Sequence, residues 1–222
     1  MSMRPASAIL RVMDLTPQVV EAYLAGLLPP RDAVLREMEA RARRERIPIV
    51  GPLVGALLQQ LARVAGARRV FECGSAIGYS TIWLARAVGP QGRVFYTETD
   101  PGRIADARGY LRRAGVLSRV TMLEGPALAS MKRTSGTFDA VFCDADKAGY
   151  PAYWKEAKGR IRPGGLFLCD NTLWSGRVAD PKARDASTKG IRAMTRSVST
   201  DRRWLSSLIP LRDGLTVAWR RR

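Results

Sequence analysis

The chain contains no histidine, which takes away the usual nitrogen ligand of zinc. Cysteine is scarce: Cys73, Cys143 and Cys169 each close a predicted strand, and none forms a C-x-x-C pair. That pattern reads as buried free thiols in a reducing cytosol and argues against a thiolate metal site. No apolar run reaches the roughly 18–20 residues that a membrane span needs, so no membrane partner is expected. Met1-Ser2-Met3-Arg4-Pro5 has no compact hydrophobic stretch followed by a cleavage site. The expectation is therefore a cytoplasmic protein without a secretory signal. Lysine is rare as well, six residues against 31 arginines.

Positive charge is abundant instead. The formal charge is +17 over 222 residues, which invites a nucleic-acid partner. The arginine skew has a plainer origin in genome base composition, and the basic residues are scattered. Neither Arg41-Arg43-Arg44-Arg46 nor Arg220-Arg221-Arg222 is interleaved with the aromatics that bind single strands. Solvated faces are the favoured reading, with a nucleic-acid surface as the alternative.

The length suits one ample domain, 1–222. Residues 1–15 read as loosely ordered. Thr16-Pro17 opens a helix, with Thr as cap and Pro at its first position, running to about Leu28. A second helix starts near Asp32 and ends in Arg41 to Arg46. Gly51 to Val64 is a third, and residues 1–66 form a helical lid or flank. From 67 to 222, strands alternate with helices. Strands are predicted at Val70–Cys73, Val94–Thr97, Val120–Leu123, Ala140–Cys143 and Leu166–Cys169, with Pro163-Gly164-Gly165 as a turn. Trp204–Ile209 and Leu215–Trp219, joined at Arg212-Asp213-Gly214, form a terminal hairpin, so one strand is antiparallel to the rest. The pattern specifies an α/β fold with a doubly wound, mostly parallel sheet.

Three features locate a site. Gly74 to Gly78 forms a strand–turn–helix junction, in which Gly74 allows a tight turn and the approach of a ligand, and Gly78 allows close helix packing. Ala76 stands where a dinucleotide fingerprint needs its second glycine, so a nucleoside without phosphates fits better. Glu98, 24 residues past Gly74, is placed to meet ribose hydroxyls. Two apolar strands then end in acid, at Cys143-Asp144-Ala145-Asp146-Lys147 and Cys169-Asp170-Asn171. Neighbouring strands lie about 4.8 Å apart, so Asp144, Asp170 and Asn171 could converge as hard oxygen donors. They would suit Mg²⁺, Mn²⁺ or Ca²⁺; the plain alternative is a pair of polar turns.

Phe138-Asp139-Ala140-Val141-Phe142-Cys143-Asp144-Ala145-Asp146-Lys147, Arg162-Pro163-Gly164-Gly165 and Asp170-Asn171-Thr172-Leu173-Trp174-Ser175-Gly176-Arg177-Val178 together resemble the cation-dependent O-methyltransferases. That family includes catechol and caffeoyl-coenzyme A O-methyltransferases and bacterial relatives. The resemblance runs from about Ile47 to the C-terminus. It implies a Rossmann-like class I methyltransferase with a seven-stranded sheet, a reversed C-terminal hairpin strand, and helices on both faces. It implies S-adenosylmethionine as methyl donor, held at Glu72, Gly74, Ser75, Ser80, Glu98 and Ala127, with Asp144 and Asp146 as further contacts. It places a divalent cation, magnesium foremost, on Asp144, Asp170 and Asn171, and it implies a homodimer. Ile47-Pro48-Ile49-Val50-Gly51 replaces the more polar run usual in the family.

On this reading a phenolic or catechol-like substrate binds through its hydroxyl, Lys147 acts as general base, and Trp174 is either an aromatic wall or a loop anchor. Methylation of a tRNA hydroxyl is the alternative reaction, supported by the charge. A non-catalytic cofactor-binding or regulatory domain is the third reading, opposed by the complete set Asp144, Lys147, Asp170 and Asn171.

Overall fold

The computed structural model describes residues 17–222. The expectations for residues 1–15, and for Thr16 as a helix cap, lie outside the described residues. Three helices precede the sheet: α1 (Gln18–Gly26), α2 (Ala33–Glu45) and α3 (Gly51–Val64). Pro17 is the residue before α1, one position earlier than its predicted place at the first turn. Asp32 caps α2 by accepting the N–H of Leu35 at 2.9 Å.

The alternating part follows as β1 (Arg69–Cys73), α4 (Tyr79–Val88), β2 (Arg93–Glu98), α5 (Pro101–Arg113), β3 (Val120–Glu124), α6 (Ala127–Arg133), β4 (Phe138–Cys143), α7 (Tyr150–Arg160) and β5 (Ile161–Cys169). It closes with α8 (Ala186–Thr200), β6 (Trp204–Ile209) and β7 (Leu215–Arg220). The strands form one sheet in the order β3-β2-β1-β4-β5-β7-β6. β7 runs antiparallel to both of its neighbours, as the terminal hairpin predicted.

Side chains alternate between the two faces with the period of a strand. On β4, Ala140 and Phe142 join the core under α3, α4 and α5, while Val141 and Cys143 join the core under α6, α7 and α8. Leu35, Met38, Val54 and Leu58 of α2 and α3 belong to that first core together with Val70 and Val94 of the sheet. The order of strands reverses between β1 and β4. That switch point opens a crevice beyond their carboxyl ends, where ligands of open α/β sheets bind.

One element departs from its predicted bounds. Pro163-Gly164-Gly165 does not precede the fifth strand but lies inside it, because Ile161 already pairs with Phe138. The extra residues bulge out before Leu166 rejoins the ladder at Ala140. Gly164 takes a φ of +79°, and a Cβ on Gly165 would sit 2.6 Å from the Asp139 carbonyl. The glycines are read correctly as a local bend, but flanking pairing makes that bend part of a strand.

Candidate active site

Strand register brings the acids together. Cys73, Cys143 and Cys169 stand opposite one another across β1, β4 and β5. The ladder continues one residue further: the Asp144 N–H donates to the Cys73 carbonyl at 2.9 Å, and the Asp170 N–H to the Cys143 carbonyl at 3.0 Å. Asp144 and Asp170 are therefore level on adjacent strands. Asn171 follows at a φ of 56°, a left-handed conformation that asparagine tolerates better than most residues.

Asp170 is only 4% exposed, and its Oδ1 has no hydrogen-bond partner. Burial, and then the charge of Asp144, push its carboxyl up to about 7. Burial also raises Asp144, against the opposing pull of Lys147. The Lys147 Nζ donates to Asp144 Oδ1 at 2.7 Å and to the Ala145 carbonyl at 3.1 Å. Two raised carboxylates and an orphaned buried oxygen describe a place short of positive charge. Asp144, Asp170 and the Asn171 amide are hard oxygen donors of the kind that suit a divalent cation. Among the described residues no group of three or more His, Cys, Asp or Glu is arranged to hold a metal. A cation here would rest on two carboxylates and one amide, with water or substrate oxygens completing its shell.

The predicted nucleoside side of the site lies at β1 and β2. Glu72 is fully buried, and its Oε2 accepts the Thr81 hydroxyl at 2.5 Å. Burial raises its carboxyl, while hydroxyls of Ser80, Thr81 and Ser75 pull the other way. Its Oε1 has no partner. Gly74 takes a φ of +78°, and a Cβ there would stand 2.5 Å from the Asp144 carbonyl. The bare position at Gly74 is thus filled by the end of β4, so the glycine serves β1–β4 closeness as well as the turn. Gly78, at a φ of +85°, packs on Ala107 of α5. Ala76 accepts a φ of 45°.

Glu98 closes β2. Its Oε1 accepts the N–H groups of Thr99 at 2.7 Å and Asp100 at 3.0 Å, and Oε2 lies 3.8 Å from Arg103. Ala127 is buried at the start of α6. Asp146 is turned away from the acidic pair: its carboxylate accepts the Gly149 N–H at 2.7 Å and the Tyr153 hydroxyl at 2.9 Å. Trp174, half-buried at a φ of 50°, packs against the core under α7 and α8.

Several supporting residues carried no sequence signal. Thr97, inside an apolar strand, braces the glycine turn: its Oγ1 donates to the Glu72 carbonyl at 2.7 Å and accepts the Gly74 N–H at 3.2 Å. Tyr150 donates to the Asp170 carbonyl at 2.8 Å, and its ring centroid lies 5.5 Å from the Lys147 Nζ. The turn Arg212-Asp213-Gly214, legible as a turn, proves to be a fastening point. Leu173 and Ser175 donate backbone N–H groups to Asp213, at its carbonyl (2.8 Å) and its Oδ1 (2.5 Å). Arg212 reaches Glu21 of α1 at 3.1 Å and donates to the Ile49 carbonyl at 3.1 Å. It lines a cavity of about 330 Å³ with Glu21, Ile47, Pro48 and Ile49.

This sheet, with its reversed seventh strand and a crevice at the β1–β4 switch point, is the Rossmann-like arrangement of class I methyltransferases. The family model described as O-methyltransferase matches residues 31–221, and the chain belongs to that family. It is 40% identical over 165 residues to a catechol O-methyltransferase of Mycobacterium tuberculosis, covering 73% of this chain and 75% of that one. An O-methyltransferase from Bacillus cereus, solved in complex with SAH, superposes with a TM-score of 0.85 at 32% identity, covering 95% of this chain and 100% of that one. The O-methyltransferase TomG from Streptomyces achromogenes, involved in tomaymycin synthesis and solved with SAM, gives 0.84 at 32% identity, covering 92% and 96%.

Proposed function

We propose that the protein transfers the methyl group of S-adenosylmethionine to a hydroxyl of a small phenolic or catechol-like substrate, assisted by a divalent cation, magnesium foremost. The observation that carries this reading is the level pair Asp144 and Asp170, both raised by burial, with Asp170 Oδ1 unpartnered. When bound, the cation supplies charge that acidifies the substrate hydroxyl, and the cofactor supplies an electrophilic methyl group. Asp144, Asp170 and Asn171 would hold the cation. Glu72, Gly74, Ser75, Ser80, Glu98 and Ala127 would line the nucleoside and amino-acid ends of the cofactor, with the unpartnered Glu72 Oε1 as an open acceptor.

Lys147 would take the hydroxyl proton at Nζ as the new oxygen–carbon bond forms and the sulfur–methyl bond breaks. Its Nζ, 2.7 Å from Asp144, lies within reach of anything held between the two acids. Thr97 and Tyr150 position the glycine turn and the Asp170 backbone, and so govern the alignment of the reacting atoms. Trp174 would bound the substrate on one side. Asp146 contributes most directly by holding the turn that leads into α7, through the Gly149 N–H and the Tyr153 hydroxyl, and would touch the cofactor only after turning.

Residues 1–222 would act as one methyltransferase domain, with 1–66 as a helical flank on a 67–222 core, in the cytoplasm and as a homodimer. The shared core of α2, α3 and the sheet supports the first part. A small-molecule acceptor is favoured over a tRNA hydroxyl because the crevice is lined by acids.

The test is methyl transfer to catechol and to a caffeate-type phenol, with Mg²⁺ and with excess EDTA. Turnover that needs Mg²⁺ and is lost in Asp170→Ala supports the reading. Full activity of that variant in EDTA refutes the cation. An unchanged rate and pH profile in Lys147→Ala refutes the base.

A further inference from the structure

The positive charge gathers at one end of the fold. In a parallel sheet the amino ends of the strands share a pole with the carboxyl ends of the helices between them. Arg68 and Arg69 enter β1, Arg93 enters β2 and Arg162 lies near the start of β5. Because β7 runs the other way, Arg220 and Arg222 arrive at the same pole. Helices α3, α4, α5, α6 and α7 each carry arginine or lysine in the last turn. Those residues suit the negative end of the helix dipole, which gives them a structural role too.

Several arginines of this pole are held by backbone carbonyls. Arg69 donates to the carbonyls of Thr137 at 3.1 Å and Ser135 at 2.8 Å, and Arg93 to that of Ser118 at 2.7 Å. Arg160 binds the Gly136 carbonyl at 2.7 Å, and Arg220 binds that of Ile161. A carbonyl fixes a guanidinium but cancels none of its charge. Several share a glycine: a Cβ on Gly164 would stand 3.1 Å from Arg162 and 3.7 Å from Arg222, and one on Gly136, whose carbonyl Arg160 binds, would stand 3.5 Å from Arg69. Carboxylates do pair here: Asp139 with Arg162, Asp201 with Arg203 and Lys158, and Glu156 with Arg160. Farther out, Asp32 pairs with Arg86 and Glu37 with Arg113. They leave most of the charge unmet.

We infer that this arginine-rich pole docks duplex nucleic acid by its phosphate backbone, at the end of the sheet opposite the methyl-transfer crevice. Guanidinium groups match phosphate in a two-pronged geometry that ammonium groups cannot copy. Seven strands at about 4.8 Å spacing give a row about 29 Å across, enough to follow several phosphates. Phe95, Phe138 and Trp204 near this pole are buried, and the half-buried Trp219 has its indole N–H held by the Gly164 carbonyl at 3.1 Å, so bases find little stacking platform and single strands gain little. Val64 and Leu205 are large apolar side chains exposed here, too few to anchor a lipid surface. At the opposite pole Lys147, Arg177 and Arg212 are each paired with a carboxylate, which lessens their attraction for phosphate. The nucleic acid is thus a tether for the enzyme and is not its methyl acceptor.

The experiment measures binding of the full chain to a 20-base-pair duplex by fluorescence anisotropy. With about six phosphate contacts, affinity falls about 10³-fold between 50 mM and 200 mM salt. The variant Arg202→Ser, Arg221→Ser, Arg222→Ser removes three exposed charges at this pole. It weakens binding at least tenfold at 50 mM salt and makes the log–log salt slope shallower by roughly 2–3. A charge-matched control, Lys182→Ser, Arg184→Ser, Lys189→Ser, lies beyond the carboxyl ends of the strands and leaves affinity within about twofold. Circular dichroism confirms that both variants fold. Equal weakening by the two triple variants overturns the proposal, as does absence of duplex binding at 50 mM salt. Binding to phosphatidylglycerol vesicles in place of the duplex overturns it in favour of a lipid surface.

Discussion

The two ends of the sheet treat the same side chain in opposite ways. At the carboxyl ends of the strands, burial and the charge of Asp144 push Asp170 up to about 7, and burial raises Asp213 as well. At the amino ends, hydrogen bonds from Arg203 bring Asp201 down to about 2, although partial burial opposes them. Burial also pushes on Asp139 there, but Arg162 and the backbone N–H groups of Arg69 and Arg68 outweigh it and the carboxyl is lowered. One end holds carboxylates short of a partner, and the other holds guanidiniums in excess of carboxylates. Asp170 Oδ1 is left without a partner at the first end, while Asp139 and Asp201 are satisfied by arginines at the second.

The largest effect expected from this contrast is on catalysis. Asp170→Ala lowers methyl transfer by about 10²-fold or more while the melting temperature holds or rises, because an unpaired buried carboxylate has been removed. A drop in stability with activity retained would place Asp170 with the structural acids. Next comes Gly74→Ala. Its Cβ would press on the Asp144 carbonyl at a left-handed backbone position, costing about 3 kcal/mol in urea unfolding and disturbing Asp144. Asp139→Ala gives the mirror result. It removes the acceptor of the Arg68 and Arg69 N–H groups, both at 2.7 Å, and of Arg162. Stability falls by about 2 kcal/mol with the KM for substrate unchanged.

The smallest effect is on pH dependence, and its sign differs between the two ends. Asp170 holds its proton more tightly in the folded protein than in the unfolded chain. Its contribution is present below about pH 4 and is lost as pH rises through about 7. Mg²⁺ should therefore raise the melting temperature more at pH 8 than at pH 5. Asp201 has the reverse sign: its contribution is present above about pH 4 and disappears as pH falls through about 2. A melting temperature of the Mg²⁺-free protein that stays flat from pH 5 to pH 8 would contradict the assignment for Asp170.

Much of this was legible in the chain. Helix α3 has the bounds that the pattern predicted, a helix follows the glycine turn as expected, and the terminal hairpin supplied the antiparallel strand. The acid-ended strands pointed to the place where Asp144 and Asp170 meet. Other parts were hidden for definite reasons. Thr97 and Tyr150 act through partners 22 to 25 residues away in the first case and 20 in the second, with no local pattern to mark them. The bulge in β5 looked like a turn because glycines that bend a strand and glycines that end one have the same composition. Asp146, two residues from Asp144, carries the same chemistry. Only Gly149 and Tyr153 beside it decide that its carboxylate holds the turn into α7.

The sequence by itself determined the alternation of strands and helices, the acids that follow two of the strands, and the excess of arginine. These are properties of composition and spacing, which act through local propensity and hydrophobic period. The tertiary structure decided which residues share a place. Parallel register set Cys73, Cys143 and Cys169 level and so put Asp144 beside Asp170. The direction of each strand brought arginines scattered along the chain to one pole and set Asp144, Asp170 and Asp213 at the other. Charge acts through space, and no reading along the chain shows which charges a sheet will gather at its two ends.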